Sequence, residues 1–168
     1  SLVFSENGIL KAYAWNDHQS VTVNLFDGAY SLRGVHDLEC VDSSNATLRG
    51  SSGDDTIRGG SGNDVIWGAA GADVLIGGGG TDVYYWGSGD GNDQIRDASS
   101  GESVMLYTAG LSTGNVSVSV AWTTLTLASA AQTLSIENWD TGGLNRFVFG
   151  TTASATNVYK VVSTGSGY

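Results

Sequence analysis

Five aspartates recur through the middle of the chain at the same place in a short repeating unit. Each follows a glycine-rich stretch and is followed two residues later by an aliphatic or aromatic residue. Carboxylate and carbonyl oxygens suit Ca²⁺, which takes about six to eight of them, whereas Zn²⁺ prefers nitrogen or sulfur and Mg²⁺ dehydrates reluctantly. The spacing therefore predicts calcium sites built around these aspartates, which are Asp55, Asp64, Asp73, Asp82 and Asp93.

The repeating unit is nine residues long, with glycine favoured at positions 1, 2 and 4, aspartate at position 6 and an apolar residue at position 8. Because glycine permits positive φ, the first six positions can form a tight turn with carbonyls pointing to one side. The last three positions form a short strand whose middle residue points inward. Two repeats, or 18 residues, then complete a coil and place each repeat beside the repeat two further on. The units begin at Gly50, Gly59, Gly68, Gly77 and Ser88, and the inward residues are Ile57, Ile66, Leu75, Tyr84 and Ile95.

A flexible glycine-rich linker would have a similar composition. A linker gives no reason for an apolar residue two positions after every position-6 aspartate, so the spacing favours a folded coil. Two degenerate half-coils flank the five repeats. The one before them has Ala46 at position 6 and the inward residue Leu48, so we expect it to pack without a full-strength ion. The one after them, residues 97–104, has Glu102 at position 6 and Val104 at position 8.

The unit resembles the calcium-binding nonapeptide of the RTX (repeats-in-toxin, haemolysin-type) family. The resemblance implies an all-β fold, namely a calcium-binding parallel β-roll with N-terminal lead-in rungs and a C-terminal β-rich capping region. It divides the chain into a lead-in at 1–49, calcium-binding repeats at 50–102 and a cap at 103–168.

In the β-roll of that family each ion lies between turns i and i+2, held by both position-6 carboxylates and by turn carbonyls. The resemblance therefore implies about three to five Ca²⁺ ions in two rows. The first site pairs Asp55 with Asp73 and uses carbonyls near Ser51, Gly53, Gly68 and Ala70. The second pairs Asp64 with Asp82 and uses carbonyls near Gly60, Gly62, Gly77 and Gly79. The third pairs Asp73 with Asp93 and uses carbonyls near Ala69, Gly71, Ser88 and Asp90. A fourth would pair Asp82 with Glu102, with the side chain of Asp97 as an extra ligand.

The charge distribution agrees with cation binding. The chain carries a net charge of −10, and residues 50–102 hold eight Asp and one Glu against Arg58 and Arg96, which gives −7. Without cations these carboxylates repel one another at the turns, so the roll should not close. The same charge argues against nucleic acid or an anionic membrane surface as a partner. No apolar run approaches the roughly 20 residues of a membrane span.

The flanking segments read as short strands that extend and cap the roll. Residues 21–25 and 32–41 predict lead-in rungs, and Cys40, the single cysteine, is expected to be a buried apolar residue without a disulfide. Val or Leu alternating with Ser or Thr predicts cap strands at 104–107, 116–120, 124–127, 133–136 and 146–149. The large aromatic residues expected in the core are Tyr84, Trp86, Trp122 and Trp139.

No catalytic motif accompanies the repeats. The two histidines, His18 and His36, stand in no metal-binding or nucleophile-activating pattern, so we do not expect an enzyme. The resemblance implies a secreted, extracellular module that folds on binding Ca²⁺ and supports export of an attached N-terminal cargo by type I secretion machinery. Its uncleaved signal is expected within residues 120–168. The alternative is a polysaccharide-binding or cell-surface adhesion module that uses the outward aromatic residues Trp67 and Tyr85, one rung apart.

Overall fold

A computed structural model describes the backbone of residues 2–6, 9–13, 21–24, 37–40, 45–96, 105–109, 111–112, 114–139, 146–148 and 158–160. Side chains are described for residues 38–40, 45–96, 111–112, 114–139 and 147–148. Within these ranges the regular structure is entirely β. The strands are β1 (Leu2–Glu6), β2 (Ile9–Tyr13), β3 (Val21–Asn24), β4 (Asp37–Cys40), β5 (Ala46–Arg49), β6 (Thr56–Gly60), β7 (Val65–Trp67), β8 (Val74–Gly78), β9 (Val83–Gly87), β10 (Asp93–Ile95), β11 (Met105–Ala109), β12 (Ser117–Ala121), β13 (Thr124–Ala128), β14 (Thr133–Glu137), β15 (Arg146–Val148) and β16 (Val158–Lys160).

Successive half-coils alternate between two sheets. Ile57 of β6 pairs with Leu75 of β8, and Ile66 of β7 pairs with Tyr84 of β9, so one coil takes 18 residues. The described strands of the first sheet run in the order β1-β2-β4-β6-β8-β10-β14-β13-β12, and those of the second in the order β16-β15-β11-β9-β7-β5-β3. The repeat strands pair in parallel within each sheet. The predicted parallel β-roll is therefore confirmed.

The core lies between the two sheets and is filled by the position-8 side chains. Burying these apolar side chains is the main source of free energy that holds the sheets together. Tyr84 and Trp86 are both fully buried in the last regular coil, as predicted, and Cys40 is buried at 2% exposure. The inward residues of the five repeats all have 0% exposure; they are Ile57, Ile66, Leu75, Tyr84 and Ile95.

The segment before the repeats continues the same stack. Strands β2 and β4 extend the first sheet in parallel with β6, and β3 extends the second sheet beside β5. Leu48 pairs with Ile66 and is buried, so the half-coil with Ala46 at position 6 keeps the predicted register. Strand β1 turns back antiparallel onto β2 at the N-terminal edge of the first sheet. Of the predicted lead-in rungs at 21–25 and 32–41, the described parts Val21–Asn24 and Asp37–Cys40 are strands of this stack.

The segment after the repeats covers the last coil in both sheets. Strand β14 stacks in parallel on β10, with Ile136 beside Ile95, and β13 and β12 follow as an antiparallel meander. Strand β11 pairs with β9 and β15 in the second sheet. Trp139 is buried, as predicted.

Two predictions about this region are wrong. Trp122 is 93% exposed, because it lies in the two-residue turn between β12 and β13 with φ 57°, where the side chain projects away from the sheet. In β11, Leu106 rather than Val104 pairs with Tyr84. The register of the described strand is therefore shifted by two residues from the predicted one.

Candidate metal centre

Each repeat aspartate at position 6 is buried in its turn, and four of them, Asp64, Asp73, Asp82 and Asp93, accept a backbone N–H from the turn one coil earlier. The backbone N–H of Asp55 donates to Asp73 Oδ1 at 2.8 Å, and the N–H of Asp64 donates to Asp82 Oδ1 at 2.8 Å. The N–H of Asp73 donates in turn to Asp93 Oδ1 at 3.0 Å. Asp55, Asp73 and Asp93 form what we call the first row, and Asp64 and Asp82 form the second row. All three aspartate pairs of the first three predicted sites are therefore neighbours in space.

In the first row, the second carboxylate oxygen, Oδ2, of Asp73 and of Asp93 is the atom that a cation would stabilise. Among the described residues, Oδ2 of Asp73 and Oδ2 of Asp93 are buried without a hydrogen-bond partner. Burial raises the pKa of Asp73 to about 7 and the pKa of Asp93 to about 8, since a charged carboxylate loses its hydration there, and the neighbouring carboxylates add repulsion. Buried anionic oxygens without a partner are costly, so this row requires either protons or a bound cation.

Carbonyl oxygens converge on these carboxylates at position 1 of the repeats. A Cβ added to Gly50 would lie 2.6 Å from Asp55 Oδ2 and would also collide with the carbonyl oxygen of Gly68. A Cβ added to Gly59 would lie 2.7 Å from the carbonyl oxygen of Gly77 and would collide with Asp64 Oδ2. The space beside Gly50 and the space beside Gly59 are thus each bounded by the carboxylate of one turn and by the carbonyl of the next turn in the same row. Gly68 and Gly77 are among the predicted carbonyl ligands.

Carbonyls at position 4 face the next turn in the same way. The carbonyl oxygen of Gly53 and Asp73 Oδ1 would lie 2.6 and 3.0 Å from a Cβ on Gly71, and the carbonyl of Gly62 faces Gly80. Other predicted carbonyls already accept backbone hydrogen bonds: Gly60 from Gly79, Gly71 from Asn92 and Asp90 from Gly71. The remaining predicted positions lie in the described turns without a carbonyl contact that singles them out; they are Ser51, Ala69, Ala70, Gly79 and Ser88.

The donor set fits a hard cation. Within the described residues no three Asp, Glu, His or Cys side chains converge on one point. A cation between two turns of a row would have two aspartate carboxylates and the neighbouring backbone carbonyls as its ligands. Such an all-oxygen set suits Ca²⁺ and does not suit Zn²⁺. When bound, calcium would supply the positive charge that offsets the paired carboxylates.

A second ladder, at position 5, was missed by the sequence analysis. The side-chain oxygen of Asn63 accepts from Thr81 N–H at 2.7 Å, and that of Asp54 accepts from Ala72 N–H at 2.8 Å, each one coil later. The ladder runs in the opposite direction to the one at position 6. It also reaches both flanks, because Asn45 accepts from Asn63 N–H and Asn92 accepts from Thr133 N–H. The signal in the sequence is the Asn or Asp that directly precedes most of the position-6 aspartates.

At its described end, each row meets a residue that lacks a carboxylate. In the second row the backbone N–H of Ala46 donates to Asp64 Oδ1 at 2.7 Å, so Ala46 keeps the backbone part of the motif without its side chain. In the first row the residue beside Asp93 is Leu134, which is fully buried. Gln132 then fastens the cap strand to the last repeat, since its side chain bonds Gly87 O and accepts from Gly89 N–H. The cap thus closes the first row with apolar and amide groups.

Trp67 and Tyr85 lie on the outer face of the second sheet, one rung apart as predicted. Their ring centroids are 6.2 Å apart, and the guanidinium of Arg49 lies 4.2 Å above the indole of Trp67. The indole N–H donates to Asp90 Oδ2, which also accepts from Gly87 N–H. Burial raises the pKa of Asp90. Trp67 therefore has one ring face covered and its polar edge engaged, so it offers less to a sugar than the sequence suggested.

Five residues named in the sequence analysis lie outside the described residues. They are His18, His36, Asp97, Glu102 and Val104. The fourth calcium site therefore has no described geometry.

The family comparison identifies the repeats. Residues 49–84 match the RTX calcium-binding nonapeptide repeat in four copies. These are RTX repeats. This family is a structural calcium-binding module rather than a typically catalytic one, and RTX repeat proteins are typically secreted. No helix long and apolar enough to cross a membrane occurs within the described part of the chain.

No curated protein matches the chain. Among solved structures, a subunit of the mannuronan C5-epimerase of Azotobacter vinelandii is 26% identical over 76% of this chain and 91% of its own, with a TM-score of 0.32. The extracellular lipase of Serratia marcescens is 21% identical over 82% of this chain and 18% of its own, with a TM-score of 0.25.

Proposed function

We propose that this chain is a calcium-dependent folding module that closes outside the cell and supports type I secretion of an attached protein. The observation that carries the proposal is the first row, in which Oδ2 of Asp73 and Oδ2 of Asp93 are buried without a hydrogen-bond partner. A chain with these groups ionised and no cation gains little by folding. Low calcium therefore favours an extended chain, and high calcium favours the roll.

The same logic supports a division of labour along the chain. Residues 50–102 supply the carboxylates and carbonyls, while residues 1–49 and 103–168 supply rungs that cover the two ends of the repeat stack. A solenoid needs such ends, because its terminal rungs otherwise expose apolar surface and unpaired backbone. The RTX resemblance adds the expectations of an uncleaved export signal within residues 120–168 and of a separate cargo domain.

Circular dichroism with metal titration tests the folding part. The full chain should gain its β signal with added Ca²⁺, near the ~10⁻⁴–10⁻³ M typical of extracellular modules, and lose it with chelator. Mg²⁺ at the same concentration should leave the chain unfolded. A full β signal in chelator at neutral pH would refute the proposal.

The secretion part needs a separate measurement. A reporter fused before residue 1 should reach the medium of cells that express a type I exporter, and deletion of residues 120–168 should retain it inside. Equal export of both fusions would refute the proposed export signal within residues 120–168. It would not contradict the proposal of calcium-dependent folding. For the polysaccharide alternative, retention of the calcium-loaded chain on a glycan column would have to be lost in Tyr85→Ala.

A further inference from the structure

Tyr84 differs from the other position-8 residues of the repeats in carrying a hydroxyl group. Its ring is fully buried, and the hydroxyl accepts a hydrogen bond from Gly77 N–H at 2.6 Å. A Cβ added to Gly77 would lie 2.5 Å from that hydroxyl oxygen and would collide with Asp82 Oδ2. The hydroxyl therefore lies beside the turn that contributes both Gly77 and Asp82 to the second predicted site.

The hydroxyl of Tyr84 acts as the acceptor for Gly77 N–H, a part that a backbone carbonyl plays in the first repeat. In the first repeat, the equivalent N–H of Gly50 donates to the backbone carbonyl of Trp67 at 2.8 Å. For Gly77 the corresponding acceptor would come from the chain beyond β10. Strand β8 continues to Gly78, whereas β10 ends at Ile95. Because Gly77 is buried, its N–H needs an acceptor from the protein, and Tyr84 supplies one.

The other side of Gly77 faces the second row. Its carbonyl oxygen and Asp64 Oδ2 both crowd the point where a Cβ on Gly59 would stand. We infer that Tyr84 is a positioning residue for the second calcium site: its hydroxyl fixes Gly77 so that the Gly77 carbonyl stands beside the Asp64 carboxylate. The inference rests on the proposed function. It makes the aromatic residue of the last regular repeat part of the site as well as part of the core.

The variant Tyr84→Phe keeps the ring and removes only the hydroxyl. It leaves a buried N–H without its acceptor, which corresponds to about one order of magnitude in an equilibrium constant. We expect its calcium half-saturation, followed by circular dichroism on the full chain, to rise about tenfold. Tyr85→Phe is the matched control, because that neighbouring ring lies on the outer face and should leave the midpoint unchanged.

A spectroscopic measurement separates positioning from general stability. Tb³⁺ takes oxygen ligands as Ca²⁺ does and emits when a nearby tyrosine or tryptophan transfers energy to it. In the Tb³⁺-loaded chain, Tyr84→Phe should lose a tyrosine component of the excitation spectrum that Tyr85→Phe retains. Loss of stability with an unchanged tyrosine component would overturn the inference and leave Tyr84 a core residue.

Failure of this inference can be told apart from failure of the proposed function. A wild-type chain without any calcium response would refute calcium-dependent folding itself. A wild-type chain that responds, beside a Tyr84→Phe chain with the same midpoint, would refute only the role of Tyr84. If the variant does not fold, amide exchange in the calcium-loaded wild type decides: Gly77 N–H should exchange slowly, and fast exchange contradicts the inference.

Discussion

The backbone N–H of Asp55 donates to the carboxylate of Asp73 one coil later, with 2.8 Å between the nitrogen and Oδ1. Asp73 repeats the relationship with Asp93, so it touches a carboxylate-bearing turn on both sides. The carboxylate of Asp55 accepts within its own turn, where Ser51 N–H donates to Oδ2 at 2.6 Å. The two aspartates occupy the same position of the repeat, but Asp55 is the first aspartate of its row whereas Asp73 lies between two others.

This inequality predicts different responses to the same substitution. Asp73→Ala removes a ligand from two predicted sites and Asp55→Ala from one. The calcium concentration at half-folding should therefore rise more for Asp73→Ala, by about a further tenfold if each site contributes about 1.4 kcal/mol. Calcium titration followed by circular dichroism measures both midpoints. Asp54→Asn is the control, since it removes a neighbouring charge while keeping the oxygen that accepts from Ala72 N–H. Equal midpoints for the two alanine variants would contradict the pairing of turns i and i+2.

Two glycines with the same φ make a second matched pair. Gly78 and Gly89 both have φ 96°, a conformation that costs a non-glycine residue about 1–2 kcal/mol. A Cβ on Gly78 would collide with the carbonyl of Gly60 in the coil before, whereas a Cβ on Gly89 meets nothing within 4 Å. Gly89→Ala should lower the free energy of unfolding in calcium by about 1 kcal/mol, and Gly78→Ala by more than about 3 kcal/mol. Urea unfolding at saturating calcium measures both, and equal losses would show that the turns are not stacked this closely.

The position-5 ladder should add stability without binding an ion. Asn63→Ala deprives Thr81 N–H of its acceptor at an exposed site, where water can partly replace it, so we expect a loss of about 0.5–1 kcal/mol. The number of bound Ca²⁺ ions, measured by isothermal titration calorimetry, should stay the same. Thr81→Ala keeps the donating N–H and should be close to wild type. A lower ion count in Asn63→Ala would mean that position 5 belongs to the metal sites.

The metal-free chain should respond to pH through the first row. Folding raises the pKa of Asp73 and of Asp93 from 3.8 to about 7 and about 8. A carboxyl group whose pKa is raised by folding stabilises the folded state fully when the pH is below its pKa in the unfolded chain. This stabilisation is lost as the pH rises through the pKa that the group has in the folded chain. Without metal, the β signal should therefore grow on acidification from about pH 9 to about pH 5. Calcium half-saturation should move the other way and tighten as pH rises, because protons and the ion compete for the same oxygens. In Asp93→Asn, the pH range over which the metal-free β signal changes should end at a lower pH. A metal-free β signal that does not depend on pH would contradict this prediction.

The parts of the structure that repeat could be predicted from the sequence, and the parts that occur once could not. One nine-residue spacing, which occurs in five repeats, determines the coil length, the inward residues and the pairing of the position-6 aspartates. The position of Trp122 was predicted wrongly, because a large apolar side chain is expected in the core. In the structure Trp122 lies in a two-residue turn with positive φ, which places its side chain in solvent. The shift of Leu106 against Tyr84 was missed because the chain between β10 and β11 lacks glycine and aspartate at the repeat positions, so nothing local fixes the register there. The bonds of Gln132 to the last repeat join residues more than 40 positions apart, and no spacing rule reaches that far.

The cap strands should be necessary for calcium-dependent folding. Truncation after Ser100 removes β14, which stacks on β10 in the first sheet, and β11, which stacks on β9 in the second. It also removes Gln132 and the Thr133 N–H, the groups that bond the turn of the fifth repeat. The last coil would then expose Ile95 and two open sheet edges, although every repeat aspartate remains. We expect the truncated chain to stay largely unfolded at millimolar calcium, because binding and capping contribute to one cooperative folding free energy. Gln132→Ala in the full chain is the graded counterpart and should raise the calcium midpoint while leaving the final β signal intact. If the truncated chain gained the full β signal per residue at the midpoint of the intact chain, the repeats would be self-sufficient and the capping role would have to be abandoned.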